Sequence, residues 1–75
     1  MQLQFPLHFK EKIVERSIDV DRIKQTIRNP DYQVAETDNR ILSRKKIDHR
    51  TLEVIYVKGS SKNKFIIVTA YWWKK

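Results

Sequence analysis

Cysteine is absent from this chain, glycine occurs once and proline twice. Without cysteine, neither a disulfide framework nor a thiolate zinc site can supplement a small core, and the composition suits a cytoplasmic protein. A single glycine rules out a glycine-rich phosphate loop, and with so little proline no linker or low-complexity tract is expected. No apolar run approaches the roughly 20 residues of a membrane helix, and no signal-peptide apolar segment follows Met1, so no membrane association is expected. His8 and His49 lie far apart with no carboxylate cluster beside either, which makes no metal-ligand set, and no cofactor is implied. A serine nucleophile-elbow motif is missing too.

What the chain does have is positive charge, unevenly placed. Residues 1–39 carry six Lys/Arg against seven Asp/Glu, whereas residues 40–75 carry ten against two. Arg40, Arg44, Lys45, Lys46 and Arg50 are interleaved with Ile41, Leu42, Ile47 and Leu52. A disordered basic tail lacks such apolar interleaving; a folded surface strand has it. A folded cationic face points to a polyanion, and most often to nucleic acid. The 75 residues allow one domain, 1–75, with one modest core. Aliphatic and aromatic burial must stabilise it, with self-association as a homodimer a further source.

The pattern along the chain predicts two helices followed by strands. Gln2–Phe5 alternates as a short strand would, and Pro6 ends it. Leu7–Arg16 is helical in period, with Phe9, Ile13 and Val14 as its apolar stripe. Asp19 reads as an N-cap, Asp21 suits the positive end of the helix dipole, and Ile18 with Ile23 forms a hydrophobic staple. Val20, Ile23 and Ile27 face the core until Asn29-Pro30 stops the second helix. Strands are expected at Tyr32–Thr37, Arg40–Ile47, Thr51–Lys58 and Phe65–Trp73, with turns at Asp38-Asn39 and Asp48-His49-Arg50. The last strand is the most apolar and belongs in the sheet interior. The expected fold is α+β: two helices on one face of an antiparallel sheet of about four strands, with Ile13, Val20, Ile23, Ile27, Val54 and Val68 in the shared core.

Three groups of residues carry candidate chemistry. His8, Lys12 and Arg16 recur every fourth residue on the first helix, beside its apolar stripe. An imidazole and two cations in one row suit proton transfer and phosphate charge stabilisation, while a solvated face with Glu11 and Glu15 as ion-pair partners is the structural alternative. Arg40, Arg44 and Lys46 share one face of their strand, as a phosphate-binding row or as charge protecting an edge strand. Lys45 points the other way and is expected to snorkel. In the last strand, strict alternation puts Phe65, Ile67, Thr69, Tyr71 and Trp73 on one side. The Thr69 and Tyr71 hydroxyls can reach a phosphate, and the aromatic rings can stack on bases or pack in the core.

His8-x3-Lys12-x3-Arg16-x-Ile18, Asn29-Pro30 after a second helix, and Val68-Thr69-Ala70-Tyr71 together resemble a family of small uncharacterised prokaryotic proteins related to the RelE/ParE-like toxins, within a group that includes barnase-like and colicin-type ribonucleases. The resemblance implies a RelE-like fold and a toxin-type domain that cleaves RNA without a metal, through attack of the ribose 2′-hydroxyl on phosphorus. In that reading His8 does acid/base work, Lys12, Arg16 and Arg44 stabilise phosphate charge, and Thr69 and Tyr71 position the scissile group. Arg40, Arg44, Lys46, Arg50 and Trp73 would hold the RNA, and an antitoxin would cover the basic face. A non-catalytic nucleic-acid-binding module and a protein-interaction module of the ParE type are the alternatives.

Overall fold

The structure is a computed structural model, and it describes residues 1–74. Its elements run β1 (Gln2–Gln4), α1 (Phe9–Glu15), α2 (Val20–Arg28), β2 (Tyr32–Ala35), β3 (Arg40–Ile47), β4 (Arg50–Lys58) and β5 (Lys64–Trp73). They build one five-stranded sheet of order β1-β5-β4-β3-β2. The last four strands are antiparallel neighbours, as expected. The expectation of about four purely antiparallel strands falls short by β1, which pairs in parallel with β5 from Gln2↔Lys64 to Gln4↔Ile66. This is physically reasonable because the chain passes from β1 to β5 through both helices and the strands β2, β3 and β4, a connection long enough for a parallel pairing. β5 thus becomes an interior strand.

Both helices lie on one face of the sheet. Phe9, Ile13, Ile18, Ile23 and Ile27 share a single core cluster with Leu52, Val54, Tyr56, Ile67 and Ala70. The short α1 owes its end to a left-handed residue, Ser17 at φ 54°. Ile18 N–H donates to the Ile13 carbonyl at 3.0 Å and Ser17 N–H to that of Val14 at 3.1 Å, the paired bonds of a Schellman ending. Ile18 and Ile13 are both buried, which supplies the hydrophobic contact of that motif. Asp19 then caps α2, accepting from Asp21 N–H at 3.0 Å, and Ile18 and Ile23 meet in the core as the staple pattern predicts. The α1 stripe is narrower than its sequence suggests. Val14 is 78% exposed and Leu7 88%, because seven residues contribute only Phe9 and Ile13 to the core. Val20 and Val68 are half-buried rather than central.

The turns follow from local chemistry. Asp38 and Asn39 sit at φ 61° and 62°, the left-handed centre of a turn that Arg40 N–H closes on the Thr37 carbonyl at 3.3 Å, a conformation that Asp and Asn tolerate better than most residues. Asp48, at φ 59°, opens the next hairpin, in which Ile47 pairs with Arg50. Arg50 therefore begins β4 rather than closing the turn. Where α2 ends, Lys45 Nζ donates to the Asn29 carbonyl at 3.0 Å, so a basic strand residue satisfies the negative end of the helix. Under α2 the buried Ser43 and Tyr56 hydroxyls both accept from Gln33 Nε2, at 3.2 and 3.1 Å, which keeps this polar strip paired.

One irregularity decides what the other face carries. The β4–β5 register slips between Ile55↔Thr69 and Tyr56↔Ile67, which leaves Val68 without a partner. The extra residue reverses the in–out phase of β5. Phe65 and Ile67 face the helices, but beyond the bulge Ala70 and Trp72 do so, and Thr69, Tyr71 and Trp73 turn to the far side. Strict alternation, which groups Phe65 and Ile67 with Thr69, Tyr71 and Trp73, is overturned by that bulge.

Candidate nucleic-acid interface

The face of the sheet away from the helices is built row by row from the strand register. Tyr32 pairs with Arg44, Arg44 with Glu53, and Glu53 with Tyr71, so an aromatic, a cation, an anion and a second aromatic cross four strands in one line. The adjacent row on one side holds Lys46, Thr51 and Trp73. On the other side it holds Val34, Leu42, Ile55 and Thr69, and beyond them stand Arg40, Val57 and Ile66. Successive strands lie about 4.8 Å apart, so these side chains form a continuous surface.

Arg44 is its centre. Its Nε donates to Glu53 Oε1 at 2.6 Å, and its guanidinium lies 4.4 Å from the Trp73 ring centre and 5.4 Å from that of Tyr32. The Glu53 side chain is 2% exposed and that of Arg44 29%. A carboxylate removed from water this completely needs a charged partner, and Arg44 is that partner. The arrangement leaves Arg44 oriented: one edge is taken by Glu53, rings flank it, and the remaining guanidinium nitrogens are available to an incoming anion. Among the described residues neither Arg40 nor Lys46 forms an ion pair, and both are exposed.

The candidate residues separate into two sets. Arg40, Arg44, Lys46, Thr69, Tyr71 and Trp73 stand together on the open face. Arg50 stands on the helix side, its guanidinium 3.8 Å from the centre of the Trp72 ring. His8 precedes α1 and is exposed, with no side-chain capping bond. Lys12 pairs with Glu15 at 3.7 Å on the exposed side of the same helix. Arg16 clamps α1 to β5: its Nη1 donates to the Ala70 carbonyl at 2.9 Å, while Trp72 Nε1 donates to the Arg16 carbonyl at 2.8 Å. The first of these bonds takes one backbone carbonyl of β5 beyond the stretch that β1 covers. His8 and Lys12 therefore belong to the helix layer, whereas Arg16 reaches β5 at Ala70, between Thr69 and Tyr71 in the chain, whose own side chains turn to the open face. The edge-strand reading of Arg40, Arg44 and Lys46 also falls away, since β3 lies between β2 and β4.

Glu53 is the residue that sequence reasoning passed over. One signal was present: it is the lone acid in a strand of β-branched and apolar residues, and it alternates out of phase with Leu52, Val54 and Tyr56. Tyr32 gave no such signal, because only the register places it beside Arg44. Among the described residues no group of three or more His, Cys, Asp or Glu could hold a metal ion, and no helix is long and apolar enough to cross a membrane.

A family model described as a domain of unknown function, DUF4258, matches residues 5–72. The chain belongs to that family. The match covers both helices and β2 to β4 completely, so the family unit includes most of the open face just described. No curated protein and no solved structure matches the chain.

Proposed function

We propose that this domain binds RNA on the helix-free face of its sheet. The observation that carries the reading is the line Tyr32–Arg44–Glu53–Tyr71 flanked by Arg40 and Lys46, both exposed and without an ion pair among the described residues. Cations held among aromatic rings on an open strand surface suit a phosphate backbone with bases beside it. The net charge of +7 adds a long-range attraction that speeds encounter with any polyanion. A filter-binding titration at several salt concentrations tests the reading. Affinity should fall with salt, each phosphate neutralised on a single strand contributing about −0.7 to the log–log slope. Absence of binding at low salt, or a flat salt profile, would remove it.

A second reading, metal-independent RNA cleavage of the toxin type, is favoured by Thr69, Tyr71 and Arg44 sharing that face. The 2′-oxygen would attack phosphorus as its proton passes to a base, and the bond to the 5′-oxygen would break as that oxygen gains a proton. The products are a 2′,3′-cyclic phosphate and a free 5′-hydroxyl. With His8 on the helix layer, proton transfer on this face falls to Tyr71, and Arg44 offsets the charge on the phosphorane. An antitoxin covering the basic face would exclude RNA from it. Labelled RNA incubated with EDTA is the assay. Tyr71→Phe should lower cleavage by about 10²–10⁴-fold while His8→Ala leaves it unchanged. Binding with no cleavage by the wild-type protein leaves the RNA-binding reading alone.

A further inference from the structure

The open face also bears on the form of nucleic acid it takes, an inference that rests on the polyanion-binding reading above. We infer that it takes single strands with unpaired bases, stacking a base on Trp73 and another on Tyr32 while Arg44 between them contacts the intervening phosphate. The rings flank one guanidinium at 4.4 and 5.4 Å, so their centres are no farther apart than these two distances laid end to end. That spacing suits neighbouring nucleotides of one strand. Tyr32 is 52% exposed, which leaves ring surface beyond the part facing Arg44. Glu53 holds Arg44 through Nε, so the guanidinium keeps its place between the rings and its free nitrogens remain for a phosphate.

The shape of the surface excludes a duplex as the favoured occupant. A duplex shows its base edges only within grooves, which an inserted helix or strand ribbon reads, and the A-form major groove is too narrow for side chains. This face is the broad side of a sheet whose two helices both pack on the other side. Against a duplex it can touch phosphates alone, leaving both rings idle. A single strand offers a π-face on every base, and the exposed Val34 and half-buried Ile55 beside the charged row give apolar ground on which bases and sugars can rest.

The decisive comparison uses three RNA probes of equal phosphate number: an unstructured strand of about 12 nucleotides, the same strand with abasic sites throughout, and a duplex. Fluorescence anisotropy would follow each, with wild-type protein, Trp73→Leu and Tyr32→Leu, each checked for folding by circular dichroism. Wild type should bind the intact strand at least about tenfold more tightly than the abasic one, the scale of a single stacked base. Either substitution should shrink that ratio, weakening intact-strand binding more than abasic binding. Duplex binding should resemble abasic binding. Equal affinity for intact and abasic strands, or for the duplex, would overturn the stacking inference yet leave polyanion binding standing. Failure of every probe to bind at low salt would overturn both. Displacement of the intact strand by polyglutamate of matching charge, at equal concentration, would mean that the face takes acidic protein segments and would equally overturn the inference.

Discussion

The two faces of this one sheet are made from alternate residues of the same strands, yet they obey different chemistry. Toward the helices, Leu52, Val54, Ile67 and Ala70 are fully buried under Ile23 and its neighbours, and the polar groups there are internally paired. Away from the helices, no layer of the described residues covers the strands, and Glu53, the one buried charged residue among them, is paired with Arg44. The cations divide in the same way. Lys45 and Arg50 on the helix side are occupied by a helix terminus and an indole ring, whereas Arg40 and Lys46 on the open side are exposed and form no ion pair among the described residues. Net charge by itself does not mark a binding surface; cations left without a structural partner do.

If that contrast is correct, truncation on the helix side should damage stability and nothing else. Ile23→Ala should cost about 2–5 kcal/mol in urea unfolding, the range for a buried aliphatic whose cavity cannot fully collapse. RNA affinity of the folded fraction should stay at the wild-type value. A loss under about 1 kcal/mol would show that α2 is held by something other than this core.

Arg44 is where the two properties meet. Arg44→Ala strands Glu53 in the sheet and should cost about 2–3 kcal/mol, somewhat below a wholly buried pair because the guanidinium is partly solvated. Adding Glu53→Gln should restore most of the stability without restoring RNA binding. Recovery of both would mean that Arg44 serves the fold alone.

Ser17→Gly provides a control on the helix side with the opposite sign. At φ 54° a serine is strained by its Cβ, and glycine should raise stability by about 0.5–1 kcal/mol, read as a higher denaturation midpoint. An unchanged or lower midpoint would contradict the left-handed ending of α1.

The smallest stability effects, and the sharpest separation of the faces, belong to the exposed cations. Arg40→Ala and Lys46→Ala should each change stability by no more than about 0.5 kcal/mol, while reducing the magnitude of the RNA salt slope by about 0.7 for each phosphate no longer neutralised. Lys45→Ala should leave that slope intact. Equal effects from Lys45 and Lys46 would erase the distinction between the faces.

Much of the fold was legible because it depends on local signals. Asp19 as a cap, Ile18 with Ile23 as a staple, Asn29-Pro30 as a stop and Asp38-Asn39 as a turn are all short-range chemistry, and each is found where its residues place it. The strand β3 coincides with the expected Arg40–Ile47 because both of its ends are turns. The candidate site was legible only in part. Arg40, Arg44 and Lys46 share a face by simple periodicity, but their relation to Trp73, Tyr71 and Tyr32 depends on pairing between strands distant in sequence. The helix row His8–Lys12–Arg16 had the right spacing to act together, yet Arg16 is drawn into bonds with β5 that no local pattern foretells.

The amino-acid order by itself determined which segments become helices and strands, where they turn, and that the cations concentrate in the second half, since these rest on backbone preference, side-chain period and composition. Only the tertiary structure decided that β1 joins the sheet, that a bulge at Val68 turns Thr69, Tyr71 and Trp73 outward, and that Arg44 lies between Glu53 and two aromatic rings. Strand register is set when a sheet closes over its core: a shift of one residue exchanges its two faces, and no single segment carries that information.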